Sequence, residues 1–365
     1  MRLAHGFRPA DLDQGEAEDN LAALNSLRIY RKLAWGDTVD LVITDLRSYR
    51  SAPCIPDDLP AALGMPLPST PLVAIADAGR AYNDGVPPEF LPFGDSSFPN
   101  AAREREPGSC LGLEQRDWFL DTMEKSTATW KAWGNSLPLI PINIDLSAVP
   151  FAGFDDSVLS VDAWAGYPFE VALLMRELRE RKVGNVVSLS GDHHMHGAGS
   201  IRENAADAAT PEVIVDFNVA PMSSSPLFED LLAAAIDQPE FLPLVQGEFD
   251  GRQQPMWHNT LLRGTLSSMA YDRTGLKTVS EWLGPNGANH GLRFVDTTNQ
   301  GYGIAHFSAE AVAVQLVAVA QTRDDFEEPP PVLYRARFTT ASWEGGESPQ
   351  LRGPVFDGEA PFPFA

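Results

Sequence analysis

The stretch Asn185-Val186-Val187-Ser188-Leu189-Ser190-Gly191-Asp192-His193-His194-Met195-His196-Gly197 decides how the rest of the chain is read. Residues 186–189 are short, apolar and rich in β-branched side chains, the pattern of a buried strand, and Gly191 ends the run. Four potential metal ligands follow at once: Asp192, His193, His194 and His196. In an open sheet, side chains at a strand's exit face a cleft. The chain has seven histidines, and three of them fall here beside a carboxylate. That mixture of donors suits a borderline metal such as Zn, Fe or Mn. Taken alone, the same residues also fit a polar loop whose imidazoles bond the backbone, and the spacing fits several hydrolase types.

Working outward, residues 169–181 are amphipathic with Pro168 at their start, which predicts a helix leading into the strand. Residues 27–33 and 38–45, split by Trp35-Gly36-Asp37, read as a hairpin running into a central strand. The charged segment Asp45-Leu46-Arg47-Ser48-Tyr49-Arg50 leaves that strand. Residues 130–133 form another short strand, followed by Gly134-Asn135, where position alone favours a turn asparagine. The strands near 39–44, 130–133 and 186–189 are expected in one sheet, with Asp45, Asn135 and Asp192 at the same end.

Residues 113–125 predict a helix that buries Trp118, Phe119 and Met123. Residues 51–112 are rich in Pro, Gly and Asp and read as a long loop region. Beyond the cluster, residues 212–219 read as a strand and 227–236 as a helix, while 237–291 give no clear elements. Residues 292–296, 303–307 and 312–319 read as three antiparallel strands. A helix is possible over residues 17–24, an edge strand over 332–339, and a mobile end after that. The organisation expected is a loose entry at 1–26, a main domain at 27–323 and a Pro-rich tail at 324–365.

A net charge of −23 and a pI near 4.6 argue against nucleic acid and anionic membranes as partners, because both reward clustered Lys and Arg. A phosphate-handling site in such a chain needs locally positive groups, most simply metal ions. Cys54 and Cys110 are the only cysteines, so one bridge is possible if they meet. No run is long and apolar enough to span a bilayer, and residues 1–19 hold no apolar export-signal core. The expectation is a soluble chain of undecided compartment.

The sequence resembles the PhoD-like alkaline phosphatase and phosphodiesterase family, within the calcineurin-like metallophosphoesterases. The segments that carry the resemblance are Arg28-Ile29-Tyr30-Arg31, Asp45-Leu46-Arg47-Ser48-Tyr49-Arg50, Trp130-Lys131-Ala132-Trp133-Gly134-Asn135, Gly166-Tyr167-Pro168, Leu189-Ser190-Gly191-Asp192-His193-His194 and Gly301-Tyr302-Gly303. The resemblance implies an α/β fold, a layered αββα sandwich lacking its N-terminal part. It also implies hydrolysis of phosphomonoesters or phosphodiesters by metal-activated water at a two-metal centre, with Fe and Ca or Zn and Mn as the candidate ions.

By this resemblance Asp192 and His194 are metal ligands, with His193 in the variable position of a Gly-Asp-x-His loop, and Asn135 is a ligand or site-facing amide. Arg47 holds a phosphate oxygen or is tied to Asp45. Tyr167 lines the entrance or packs beside Trp164, and His193 and His196 face substrate or support the ligands. The family's upstream Asp-bearing motifs do not occur here, so a complementary N-terminal chain is an expected partner, with any export signal in that part. Two other readings stay open: a non-catalytic metal-binding or interaction remnant of the fold, and a single-zinc hydrolase built on His193, His194 or His196.

Overall fold

Short apolar strands with two buried faces need cover on both sides, and the architecture follows from that need. A computed structural model describes residues 28–55, 67–93, 96–149, 153–238, 241–249, 251–322 and 328–364. The central sheet has seven strands: β1 (Arg31–Trp35), β2 (Val39–Ile43), β3 (Trp130–Gly134), β4 (Val186–Ser190), β5 (His196–Arg202), β6 (Glu212–Asn218) and β7 (Leu292–Asp296). Their order across the sheet is β1-β2-β3-β4-β6-β5-β7. The four middle strands run parallel, with Val42 beside Trp133 and Trp133 beside Ser188. The predicted hairpin is β1–β2, paired from Trp35↔Val39 outward.

The side-chain period of two sorts neighbours to opposite faces. Trp133, Val186 and Ile214 join Phe119, Met123, Leu174 and Leu178 in one core, while Trp130, Val187 and Val215 lie in another. The first core is roofed by α2 (Leu113–Lys125) and α3 (Pro168–Glu180), both within one residue of their predicted bounds. The second lies against an antiparallel four-stranded sheet of β8 (Gln300–Phe307), β9 (Ala311–Val319), β10 (Val332–Ala341) and β11 (Leu351–Gly358). Helix, sheet and sheet therefore stack in layers, as the α/β expectation requires.

Several expectations need correction. Residues 51–112 are not all loop: α1 (Thr70–Ala78) forms there, capped by the Ser69 hydroxyl, which accepts from Leu72 N. The predicted trio of strands divides between the sheets, since β7 pairs with β5, whereas β8 and β9 pair with each other. The expected edge strand β10 is interior, between β9 and β11, and the supposed mobile end supplies β11. The unassigned stretch holds α5 (Met256–Arg263), α6 (Thr265–Thr274) and α7 (Lys277–Leu283), which follow the predicted α4 (Leu227–Ile236). Cys54 and Cys110 are both free. The possible helix over residues 17–24 lies outside the described residues.

Candidate active site

The three parallel strands β2, β3 and β4 end side by side, so the segments after them share one rim of the sheet. After β2 the chain turns on Asp45, whose Oδ1 accepts from Arg47 N at 2.9 Å and Ser48 N at 3.0 Å. The buried Gln115 amide clamps the same turn, receiving Asp45 N at 2.7 Å and donating to Asp45 O at 2.8 Å. Asp45 thus shapes the backbone and does not pair with the Arg47 guanidinium. That guanidinium instead donates to Asp162 Oδ2 at 2.9 Å and lies 3.9 Å from Asp192 Oδ1. Arg50 reaches the other oxygen of Asp162 at 2.6 Å, and its Nη1 is buried without a hydrogen-bond partner. The hydrogen bond to Asp162 raises the Arg47 pKa further above its already high value.

After β4 the loop takes the left-handed region at Asp192 (φ 71°) and again at His194 (φ 49°). Asp and His tolerate this better than most residues but still pay some strain, a pattern that clusters at functional sites. The His193 N–H donates to Gly191 O at 2.9 Å, and the His194 carbonyl accepts from Leu227 N at the start of α4. Burial holds the His193 pKa below the ordinary imidazole value, and its Nδ1 is sealed from solvent without a partner.

Asn135 is 2 % exposed. Its amide is fixed at both ends: Oδ1 accepts from Trp164 Nε1 at 3.1 Å, and Nδ2 donates to Ser188 Oγ at 3.3 Å. Ser188 lies across from Asp216 in the sheet, a carboxyl that burial pushes up to about 6. Asn135 Oδ1 keeps a second lone pair beyond the one that Trp164 uses.

Two expected site residues are closed off from solvent. His196 is fully buried, its Nδ1 accepting from Ala220 N at 3.1 Å and its Nε2 bonded to Val317 O at 3.2 Å. With both ring nitrogens used, it neither faces substrate nor serves a single-zinc set. Tyr167 is also fully buried, in the core with Trp164, and its hydroxyl donates to Ser51 O at 2.7 Å. It braces the loop that carries Arg47 and Arg50 and lines no entrance. Arg50 and Asp162 are the groups that sequence reasoning missed. Asp162 lies 115 positions from Arg47, and no local pattern announces such a pair.

Asp192 and His194 offer one carboxylate and one imidazole, donor types that suit a divalent metal. Among the described residues, however, no three His, Cys, Asp or Glu side chains gather closely enough to hold an ion. The residues present fit part of a coordination shell and not a whole one.

Comparison with known proteins places this geometry in context. A family profile described as PhoD-like phosphatase matches residues 12–254, more than half of the chain. Alkaline phosphatase D of Bacillus subtilis (strain 168) is 26% identical over 175 residues, which cover 48% of this chain and 22% of that protein. The solved structure of PhoD superposes with a TM-score of 0.51 at 14% identity, over 96% of this chain and 50% of that one. At that identity the likeness concerns the fold. The chain thus spans half of the solved relative, and its alignment to the curated one covers about a fifth of that protein's length.

Proposed function

The chain belongs to the PhoD-like phosphatase family, and we propose on that premise that it carries one wall of a metal-dependent phosphoesterase site. The observation that carries the reading is the placement of Asp192 beside Arg47, 3.9 Å apart at the rim of the parallel strands. A metal-type carboxylate and an anion-binding guanidinium side by side are what a phosphate ester on a cation requires. In this reading Asp192 and His194 contribute ligands, Asn135 offers its amide oxygen, and Arg47 orients a phosphoryl oxygen. Arg50 and Arg47 each hold one oxygen of Asp162, which ties the Arg47 guanidinium in place. A bound divalent ion would supply charge neutralisation and an acidified water.

Two donors do not set coordination number or geometry, so the remaining ligands come from groups outside this set, on a complementary chain or segment. The substrate is a phosphomonoester or phosphodiester. Calorimetric titration with Mn²⁺ tests the ligand assignment. Asp192→Ala and His194→Ala should each weaken binding at least about tenfold, the scale on which lost ligand shells act. His193→Ala should leave binding unchanged, and equal losses at all three positions would overturn the assignment.

A further inference from the structure

Two guanidiniums close on one carboxylate at the rim. Arg47 Nη1 donates to Asp162 Oδ2 at 2.9 Å and Arg50 Nη2 lies 2.6 Å from Asp162 Oδ1, so each oxygen of the carboxylate has its own arginine. Both arginines come from the turn that Asp45 shapes, three positions apart. That turn is fixed by Asp45 Oδ1, by the Gln115 amide and by the Tyr167 hydroxyl on Ser51 O. The carboxylate comes from a different loop. Arginine forks recognise carboxylate and phosphate by the same geometry, because both present two anionic oxygens side by side. Burial works against ionisation of Asp162, but the hydrogen bonds from Arg47 and Arg50 outweigh it and hold the carboxyl below its ordinary pKa. The group is therefore an anion throughout the neutral range.

Charge decides what a phosphate ester meets here. Arg47 and Arg50 are cations, Asp162 and Asp192 are carboxylates, and Asp192 Oδ1 lies 3.9 Å from Arg47 Nη2. The four charges cancel, so an incoming phosphoryl group gains little from the arginines while Asp162 stays on them. Once that carboxylate swings away, the same guanidiniums meet the ester with a net positive charge. The swing is cheap. The Asp162 side chain is 44% exposed and that of Arg47 50%, and ion pairs so open to solvent are weak. Val161 and Ala163 on either side are buried, so the backbone is held and a change of side-chain rotamer alone releases the carboxylate into solvent.

We propose that Arg47 and Arg50 form a single two-guanidinium seat for the phosphoryl group, and that Asp162 fills this seat in the free protein as an internal anion that the ester displaces. Arg50 is then a phosphate-binding residue and not only a tie for Asp162. Asp162 in turn sets the affinity of the site by competing for it. A phosphoryl group fits the seat because it brings one unesterified oxygen for each arginine, and a monoester dianion carries more charge than the carboxylate it replaces. The identity of the anion rests on the phosphoesterase reading, but the seat itself is open to test without metal or turnover.

Calorimetric titration of the full, metal-free chain with inorganic phosphate reads the competition. Asp162→Asn keeps the side-chain shape and removes the charge, and it should bind phosphate at least about tenfold tighter than the native chain, the scale of a charge-assisted hydrogen bond freed from a competitor. Asp162→Ala should give the same gain and serves if the asparagine variant unfolds. Adding Arg50→Gln to Asp162→Asn should remove the gain, and adding Arg47→Gln should do the same. Phosphate affinity that is unchanged or lowered when the Asp162 charge is removed would overturn the proposal, because a carboxylate that only positions Arg47 gives that result. A gain that survives Arg50→Gln would overturn it as well. A gain that depends on both arginines, in a chain whose Mn²⁺ binding ignores Asp192 and His194, would overturn the phosphoesterase reading and leave the anion seat standing.

Discussion

At the scale of single residues, exposure separates function from support. Arg47 and Asp162 are each about half exposed, and pairs of that kind contribute roughly 0–1 kcal/mol to stability. Arg47→Ala is therefore expected to lower stability by less than about 1 kcal/mol while weakening inorganic phosphate binding several-fold in the metal-loaded protein. Calorimetry and denaturant titration on the same samples separate the two effects.

His196 predicts the reverse. Its removal strands the Ala220 N–H and the Val317 carbonyl in a closed interior, at a cost of about 2–4 kcal/mol. His196→Ala should depress the unfolding midpoint sharply yet leave Mn²⁺ affinity of the folded protein unchanged. A selective loss of metal would contradict its structural role. Gly301 belongs to the same arrangement, because a Cβ there would collide with the Val317 carbonyl and the His196 ring. Gly301 of the Gly-Tyr-Gly segment thus packs against His196, a reason no residue pattern could disclose. Asp192 and His194 were readable because ligands cluster locally after a strand. The Arg47–Asp162–Arg50 group was not, because its members come from separate loops.

At the scale of elements, α2, α3, α4 and the β1–β2 hairpin follow from periodicity and turn residues that act locally. The helix α1 escaped because Thr70–Ala78 is apolar on nearly every side and offers no amphipathic rhythm. It is nonetheless tied to the site. Asp77, at its buried end, accepts from Phe169 N at 2.8 Å and so caps α3 from outside that helix. Burial, with the nearby Glu170 charge adding to it, pushes the Asp77 carboxyl up to about 7.

The folded pKa lies above the unfolded one, near 3.9. The protonated form is therefore favoured by folding, and its contribution is complete below about pH 4 and lost as pH rises toward about 7. Asp77→Asn, which keeps an acceptor for Phe169 N, should flatten this slope. Relative to the variant, the native protein is expected to lose up to about 4 kcal/mol across the window, at about 1.4 kcal/mol per unit. Denaturant titrations at pH 4, 5.5 and 7 read it directly, and parallel curves would contradict it.

At the scale of the whole molecule, sheet membership was the hardest feature to foresee. A strand's alternation tells that one face is buried but not which sheet buries it, so from sequence β7 reads with β8 and β9 although it pairs with β5. Likewise β10 reads as an edge until β11 is known to pair beyond it. The shared sheet of β2, β3 and β4 follows from sequence, and their parallel pairing brings the three exits to one end. At the rim they form, no three His, Cys, Asp or Glu side chains gather closely enough to hold an ion, among the described residues.

That shortage leads to the most direct test of the proposed function, the hydrolysis rate of bis(4-nitrophenyl) phosphate by purified residues 1–365 supplied with Fe, Zn, Mn or Ca. With only part of a coordination shell among the described residues, the expected result is little or no turnover alone. Turnover should appear on co-expression with the complementary part of a PhoD-like protein, and disappear again in Asp192→Ala. A rate of about 1 per second or faster from the isolated chain, within the usual enzyme range, would contradict the account.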